Sequence, residues 1–300
     1  MNLSNNFKEV ITMNKLTDCF ELSNGVKVPC LGFGTYLMPA EDTKASVLAA
    51  LKAGYRHIDT AFAYGNEAPV GEAIKESGIA REDIFVTTKH WIIDRGYEKT
   101  VAAIDTSLKN LGLDYIDLYL IHWPCVEKVT PDWAKINAET WRGFEDAYKA
   151  GKIKAIGVSN FQKKHIDALN EYAEIKPMVN QVEFHPGYLQ MDTVEYSKEQ
   201  GMLVQSFCPL ANGAVFKDDT MKALAEKYSV SVAQLTLRFV LQCGLNPLTK
   251  SVNPARIEEN AKIFDFEISA EDMETIKALP EMGFTGWKPE EAPADALVNG

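Results

Sequence analysis

The chain is poor in the features that mark several large protein classes. Its five cysteines, Cys19, Cys30, Cys125, Cys208 and Cys243, are odd in number, far apart and form no CxxC pair. That argues against a disulfide framework or a structural zinc site, and for reduced thiols. No stretch approaches the roughly 20 apolar residues of a membrane helix. The opening MNLSNNFKEVITMNK holds no apolar run of signal-peptide length. A cytoplasmic location and no membrane partner are therefore expected. Positive charge is also in deficit: 31 Lys and Arg against 42 Asp and Glu leave a net charge of -11. A nucleic-acid surface needs a basic stripe, so nucleic acid is not expected as a partner. One small basic pocket for a phosphate stays open. Low-complexity tracts, charge blocks and long linkers are missing too.

What is present suggests one large globular unit. Hydrophobic residues make up 46% of 300 and charged residues 24%, so a buried core is expected. The run FELSNGVKV, Phe20–Val28, has apolar residues either side of Asn24-Gly25, a strong hairpin-turn signal. After it strand and helix patterns alternate. Strands are expected near Leu31–Gly34, Tyr55–Asp59, Ile84–Lys89, Tyr115–His122, Ile153–Ser159, Met178–Glu183, Leu203–Phe207 and Pro247–Lys250. Helical spacing fills the gaps, as in Val101, Ile104, Leu108 and Leu111. Gly54, Gly112, Gly151 and Gly201 each stand between such a helix and the next strand, where a C-cap glycine belongs.

Eight short apolar strands separated by helices imply a parallel sheet covered on its outer face. It could close as a barrel or stay open and doubly wound. An open dinucleotide-binding sheet should show GxGxxG after its first strand. Gly32-Phe33-Gly34-Thr35-Tyr36-Leu37 lacks the third glycine. The favoured fold is an α/β architecture, a (β/α)8 TIM barrel with an N-terminal β-hairpin. Residues 1–16 are expected as a loose extension and residues 17–300 as a single barrel domain.

In such barrels the C-terminal strand ends carry the chemistry. Strand two ends at Asp59, with Tyr64 five residues on; strand three ends at Lys89; strand four ends at His122. Taken singly, each has an ordinary reading: a helix cap, a rim aromatic, a surface ion pair, a core histidine. Four of them on neighbouring strand ends point to proton donation instead. A Tyr hydroxyl titrates near 10 when unperturbed, and an adjacent Lys ammonium is expected to lower that value. Asp59 could keep Lys89 charged, His122 could hydrogen-bond a substrate oxygen, and Tyr64 would be the general acid. No metal-ligand spacing is present and no metal is expected.

These segments resemble the aldo-keto reductase family. GYRHIDTAFAYGNE (Gly54–Glu67), DLYLIHWP (Asp117–Pro124) and TKSVNPARIEEN (Thr249–Asn260) are similar to its three signatures. GVSNF (Gly157–Phe161) and NQVEFHP (Asn180–Pro186) match as well, and the resemblance runs from about Phe20 to about Leu279. The short tail resembles the bacterial 2,5-diketo-D-gluconate reductase type.

The resemblance implies NADP(H)-dependent reduction of small carbonyls, α-dicarbonyls or keto-sugar acids. It implies Asp59, Tyr64, Lys89 and His122 as the catalytic four, with Tyr64 as proton donor. Ser159, Asn160 and Gln181 match positions holding the nicotinamide carboxamide. Gly34, Thr35 and Asp59 join them in the cofactor set. Lys250, Ser251, Val252, Asn253, Arg256, Glu259 and Asn260 match the segment around the adenosine 2′-phosphate. There Asn253-Pro254 looks like a helix start offering free N–H groups. Tyr36, Trp91, His122 and Trp123 would wall the substrate pocket.

The sequence departs from the family after strand seven. Where Ala-Tyr-Ser-Pro-Leu-Gly is common, it has Ser206-Phe207-Cys208-Pro209-Leu210-Ala211. Phe207 keeps an aromatic face for the nicotinamide. Cys208 loses a hydroxyl donor and Ala211 a flexible glycine, with Pro209 and Leu210 between them in the cofactor loop. The partner expected is a small carbonyl molecule, and the state a monomer or weak homo-oligomer. Two rivals keep the same barrel: a cofactor-binding module without turnover, of the potassium-channel β-subunit type, and a carbon–carbon double-bond reductase. The latter would carry glutamate in place of His122. An unrelated barrel lyase or isomerase has only the strand count behind it.

Overall fold

The structure is a computed structural model that describes residues 13–284 and residue 288. Strands β1 (Cys19–Glu21) and β2 (Lys27–Pro29) form the expected hairpin, with Phe20 opposite Val28. Gly25 makes the turn at φ +82°, a conformation open to glycine at little cost.

Eight further strands follow: β3 (Gly32–Gly34), β4 (His57–Asp59), β5 (Phe85–His90), β6 (Ile116–Ile121), β7 (Ile153–Ser159), β8 (Val179–Glu183), β9 (Leu203–Phe207) and β10 (Asn246–Thr249). All pair in parallel with their sequence neighbours, and β10 closes on β3 through Leu248 opposite Gly32 and Thr249 opposite Phe33. The result is the (β/α)8 barrel. The eight strands fall on the eight segments expected from the sequence.

Among the described residues the helices are α1 (Ala40–Lys52), α2 (Glu67–Glu76), α3 (Tyr97–Leu111), α4 (Trp133–Lys149), α5 (Lys163–Asn170), α6 (Met191–Glu199), α7 (Asp219–Lys227), α8 (Val232–Gln242), α9 (Pro254–Asn260) and α10 (Ala270–Lys277). They cover the barrel's outside, so its strands are buried on both faces. Helix α3 shows why. Ile104 and Leu111 are buried and Val101 and Leu108 half-buried against the barrel, while Asp105 and Lys109 face solvent. Each fully buried aliphatic side chain of this kind stabilises the fold by about 1.5–3 kcal/mol. Gly112 ends the helix at φ +63°, its N–H returning to the Leu108 and Lys109 carbonyls. None of these helices is long and apolar enough to cross a membrane. The five cysteines are unpaired.

The hairpin lies across the N-terminal end of the barrel. Asn24 Nδ2 donates to the Lys154 carbonyl at the start of β7, at 2.9 Å, and Asn246 Nδ2 at the start of β10 donates to the Pro29 carbonyl, at 3.0 Å. Phe20, Leu22 and Val28 are buried in the main core beneath it. The segment before the hairpin departs from expectation. Residues 1–12 lie outside the described residues, but the last four of the expected loose extension are held. Met13 is buried, its carbonyl accepts a bond from Arg238 at 3.0 Å, and Leu16 packs on the core. Apolar burial and a buried guanidinium in need of an acceptor fix this stretch.

At the other end of the chain, Met282 N–H donates to the Gly187 carbonyl, and Phe284 packs on Tyr188 with ring centroids 4.6 Å apart. This segment therefore sits on the loop after β8.

Candidate active site

The barrel register sets the site. Gly34 pairs with Asp59 and Asp59 with Thr87, so Asp59 stands at the C-terminal end of β4, with Lys89 two residues further along β5. His122 extends β6 by one residue, its N–H donating to the His90 carbonyl. Tyr64 sits on the single turn Phe62–Tyr64 that follows β4. The four residues meet at one mouth.

Lys89 is fully buried, and a buried ammonium must be compensated. Its Nζ donates to Asp59 Oδ1 at 2.6 Å, to the Thr60 carbonyl at 2.8 Å and to Tyr64 Oη at 3.3 Å. All three donors are used. Burial pushes the Lys89 pKa down and the Asp59 carboxylate pulls it back up. Tyr64 behaves differently from the sequence expectation. Burial, then the Asp59 charge, hold its phenol well above the ordinary tyrosine value. Desolvation of the phenolate outweighs the nearby ammonium, so the phenol keeps its proton at neutral pH.

His122 is pushed well below the ordinary histidine range by burial, then by the Lys89 and His90 charges. It is therefore neutral. Its Nδ1 is buried without a hydrogen-bond partner among the described residues, and the ring lies edge-on between Tyr64, at 5.6 Å, and Trp91, at 5.1 Å.

A chain of buried amides reaches Asp59 from below. Gln181 Nε2 donates to Asp59 Oδ2 at 2.9 Å and to Gln205 Oε1 at 3.0 Å; Gln205 Nε2 donates to Asn246 Oδ1 at 2.9 Å; Asn246 Nδ2 reaches Pro29. The sequence reading missed Gln205 and Asn246. Their only signal is polarity inside otherwise apolar strands.

A cavity of about 480 Å3 opens over this cluster. Gly34, Asp59, Ser159, Asn160, Gln181, Phe207, Cys208, Pro209, Leu210 and Lys250 from the expected cofactor set line it, as do Tyr36, Trp91, His122 and Trp123 from the expected substrate set. Leu37, Ala63, Asn212, Leu248 and Thr249 line it as well and were not foreseen.

Thr35 lies elsewhere: it is fully buried, and its hydroxyl bonds to the Asp59 carbonyl at 3.2 Å and to Asn66 Oδ1 at 3.3 Å. Ser251, Val252, Asn253, Arg256, Glu259 and Asn260 follow Lys250 out of the cavity. Asn260 is buried and donates to Thr249 Oγ1 at 3.1 Å, a packing contact. Ser159 Oγ donates to the Gln181 carbonyl at 2.8 Å, and Asn160 Nδ2 to the His122 carbonyl at 2.9 Å, so both brace the floor.

The expected free amides at the start of α9 are occupied. Asn253 Oδ1 accepts from Ala255 N and Arg256 N, at 2.9 and 3.3 Å, and Ser251 Oγ accepts from Asn253 N at 3.1 Å. The side chains of Lys250 and Arg256 are exposed, and neither forms an ion pair among the described residues.

The loop after β9 is bent hard. Cys208, Ala211 and Asn212 have φ of +48°, +50° and +49°, the left-handed region that costs a residue with a Cβ roughly 1–2 kcal/mol. Burial, then the Glu183 charge, push the Cys208 thiol up to about 12, so it is not a thiolate at neutral pH.

The cavity suits a nicotinamide dinucleotide. Its lining combines the aromatic ring of Phe207, the polar side chains of Gln181, Ser159 and Asn160, and the cation of Lys250. A closed α/β barrel with Asp, Lys, Tyr and His converging at its C-terminal mouth defines a barrel oxidoreductase. Residues 30–281 match the Aldo/keto reductase family, and the chain belongs to it. It is 49% identical over 277 residues to a glyoxal reductase of Bacillus subtilis (strain 168), covering 92% of this chain and 98% of that one. Its fold matches the crystal structure of an aldo-keto reductase from a Medee basin deep-sea metagenome library, at 42% identity and a TM-score of 0.86, over 91% of this chain and 99% of that one. It also matches a Bombyx mori aldo-keto reductase in complex with NADP, at 34% identity and a TM-score of 0.84, over 93% and 98% of the two chains.

Proposed function

We propose that this protein reduces aldehydes and ketones, small carbonyls and α-dicarbonyls foremost, to alcohols with NADPH. The observation that carries the reading is the contact of Tyr64 Oη with Lys89 Nζ, at 3.3 Å, beside a neutral His122 in the same cavity.

NADPH would lie from Lys250 to Phe207, with Phe207 against the nicotinamide and Gln181, Ser159 and Asn160 beside its carboxamide. When bound it supplies a hydride. The chain's own residues do the rest. With its proton on Nε2, neutral His122 donates a hydrogen bond to the substrate oxygen and fixes it over Tyr64. Tyr64 gives that oxygen its proton as negative charge develops there. Lys89 stabilises the phenolate left behind, which then regains a proton from solvent. Asp59 keeps Lys89 charged in a buried place where an ammonium would otherwise be costly.

Preference for NADPH over NADH rests on Lys250 and Arg256. With the Ala255 and Arg256 amides capped, these two side chains are the charged donors of the segment, and Arg offers a 2′-phosphate a fork of N–H groups.

Tyr64→Phe tests the reading. Carbonyl-dependent NADPH oxidation should fall by about 10²–10⁴, while NADPH binding, followed by fluorescence, stays nearly the same. Turnover within a few-fold of wild type would remove Tyr64 as the donor. A wild-type protein that binds NADPH without oxidising it, across a panel of carbonyls, would favour the binding-module alternative.

A further inference from the structure

We infer that the substrate end of this cavity selects uncharged carbonyl compounds and turns away those bearing a carboxylate, keto-sugar acids included; this rests on the carbonyl-reductase reading above. The walls around His122 are Tyr36, Leu37, Ala63, Trp91 and Trp123, none of them cationic. An entering carboxylate would lose water and meet no opposite charge.

The described cations nearby are committed or misplaced: Lys288 stands over Phe284 in a separate recess with Glu183 and Tyr188, and does not line the cavity. Lys89 spends its three donors on Asp59, Thr60 and Tyr64. Arg95, on the loop after β5, donates to the Pro124 carbonyl at 3.0 Å and to Cys125 Sγ at 3.3 Å, and does not line the cavity. Lys250, the cation that does line the cavity, follows β10 and is assigned above to the 2′-phosphate. His122 is neutral and can offer a carboxylate no charge.

Positions 285–287 and 289–300 contain no Lys, Arg or His, and they hold Glu290, Glu291 and Asp295. The net charge of -11 adds a field that repels anions as they approach.

The test is a pair of aldehydes of one shape, 4-formylbenzamide and 4-formylbenzoate, each assayed with NADPH at pH 7. Wild type should favour the amide in kcat/KM by at least about tenfold, the loss expected when a desolvated charged group finds no partner. Leu37→Arg places a cation at the rim, where Leu37 is 74% exposed. It should shrink that ratio several-fold, and comparing ratios cancels the intrinsic reactivity of the two compounds. Equal use of the pair, or preference for the acid, overturns the inference and leaves carbonyl reduction standing. If neither aldehyde is reduced, the carbonyl-reductase reading fails. Tryptophan fluorescence titration of the NADPH complex, whose nicotinamide is uncharged, then decides the inference: weaker binding of the benzoate upholds it and equal binding overturns it.

Discussion

Gln181 Nε2 lies 2.9 Å from Asp59 Oδ2, so the carboxylate that holds Lys89 with one oxygen is itself held by the other. The polarity of this chain is forced from its far end. The Pro29 carbonyl can only accept, so Asn246 must turn its Nδ2 to it, its Oδ1 to Gln205, and so on up to Asp59. Gln205→Leu breaks the chain in the middle and leaves the Gln181 amide free to turn over. Two buried hydrogen bonds are lost, and the one to Gln181, worth about 1 kcal/mol, bears on the site: its loss should raise the NADPH dissociation constant and lower kcat by roughly fivefold in total. Steady-state kinetics with a cofactor titration checks this; unchanged values in a folded variant would show that Gln205 does not position the site.

Arg256→Ala separates the two cofactors. Because the Ala255 and Arg256 amides of α9 are capped by Asn253, these helix N–H groups do not replace a lost guanidinium. The NADPH dissociation constant should rise several-fold or more, and that of NADH should hardly move. Equal weakening of both would place the phosphate elsewhere and make Arg256 structural.

Buried neutral histidines make the fold sensitive to mild acid. Burial, then the Lys89 charge, depress His57 to about 3, and burial depresses His90 to about 4. The unfolded chain takes up protons near 6.5 while the folded chain refuses them. Stability is therefore full above about pH 6.5 and is lost as pH falls toward the folded values. Between pH 7.5 and 5 each such histidine should remove about 2 kcal/mol. Urea unfolding across that range checks the slope. A flat profile would mean that these rings are protonated in the folded protein.

Gly283→Ala should damage the site from outside it. Gly283 has φ +64°, and an added Cβ would fall 2.4 Å from the Ala211 carbonyl oxygen and 2.6 Å from the Ala211 Cβ. Ala211 is buried in the bent loop that carries Cys208 and Leu210 over the cavity. A loss of about 1–3 kcal/mol in stability is expected, with weaker NADPH binding alongside it. Thermal melting and cofactor titration read the two effects; a stable variant with normal affinity would show that the loop moves independently of the tail.

The barrel was legible because its signals are local. Apolar runs of strand length, helical spacing such as that of Ile104 and Leu111, and the glycines at 54, 112, 151 and 201 before four of the strands need no knowledge of the partner. Strand ends were legible for the same reason, which is why Asp59, Lys89 and His122 could be named together. Thr35 was misplaced because side chains alternate along an extended segment. Gly34 and Tyr36 face the cavity, and the residue between them must face away. Gln205 and Asn246 gain meaning only once β8, β9 and β10 are in register, a long-range fact. The Tyr64 shift was read with the wrong sign, since burial depends on everything packed round the ring. The capped amides of α9 were hidden because the sequence marks a cap but not whether its bonds are already made.

The hairpin across the barrel's base has a practical corollary. The described chain enters beneath the barrel at Met13 and leaves beside the mouth at Phe284, against Tyr188. A tether or fusion joined at Met13 would thus leave the working face turned outward. One joined at Phe284 would crowd the doorway through which every reactant passes.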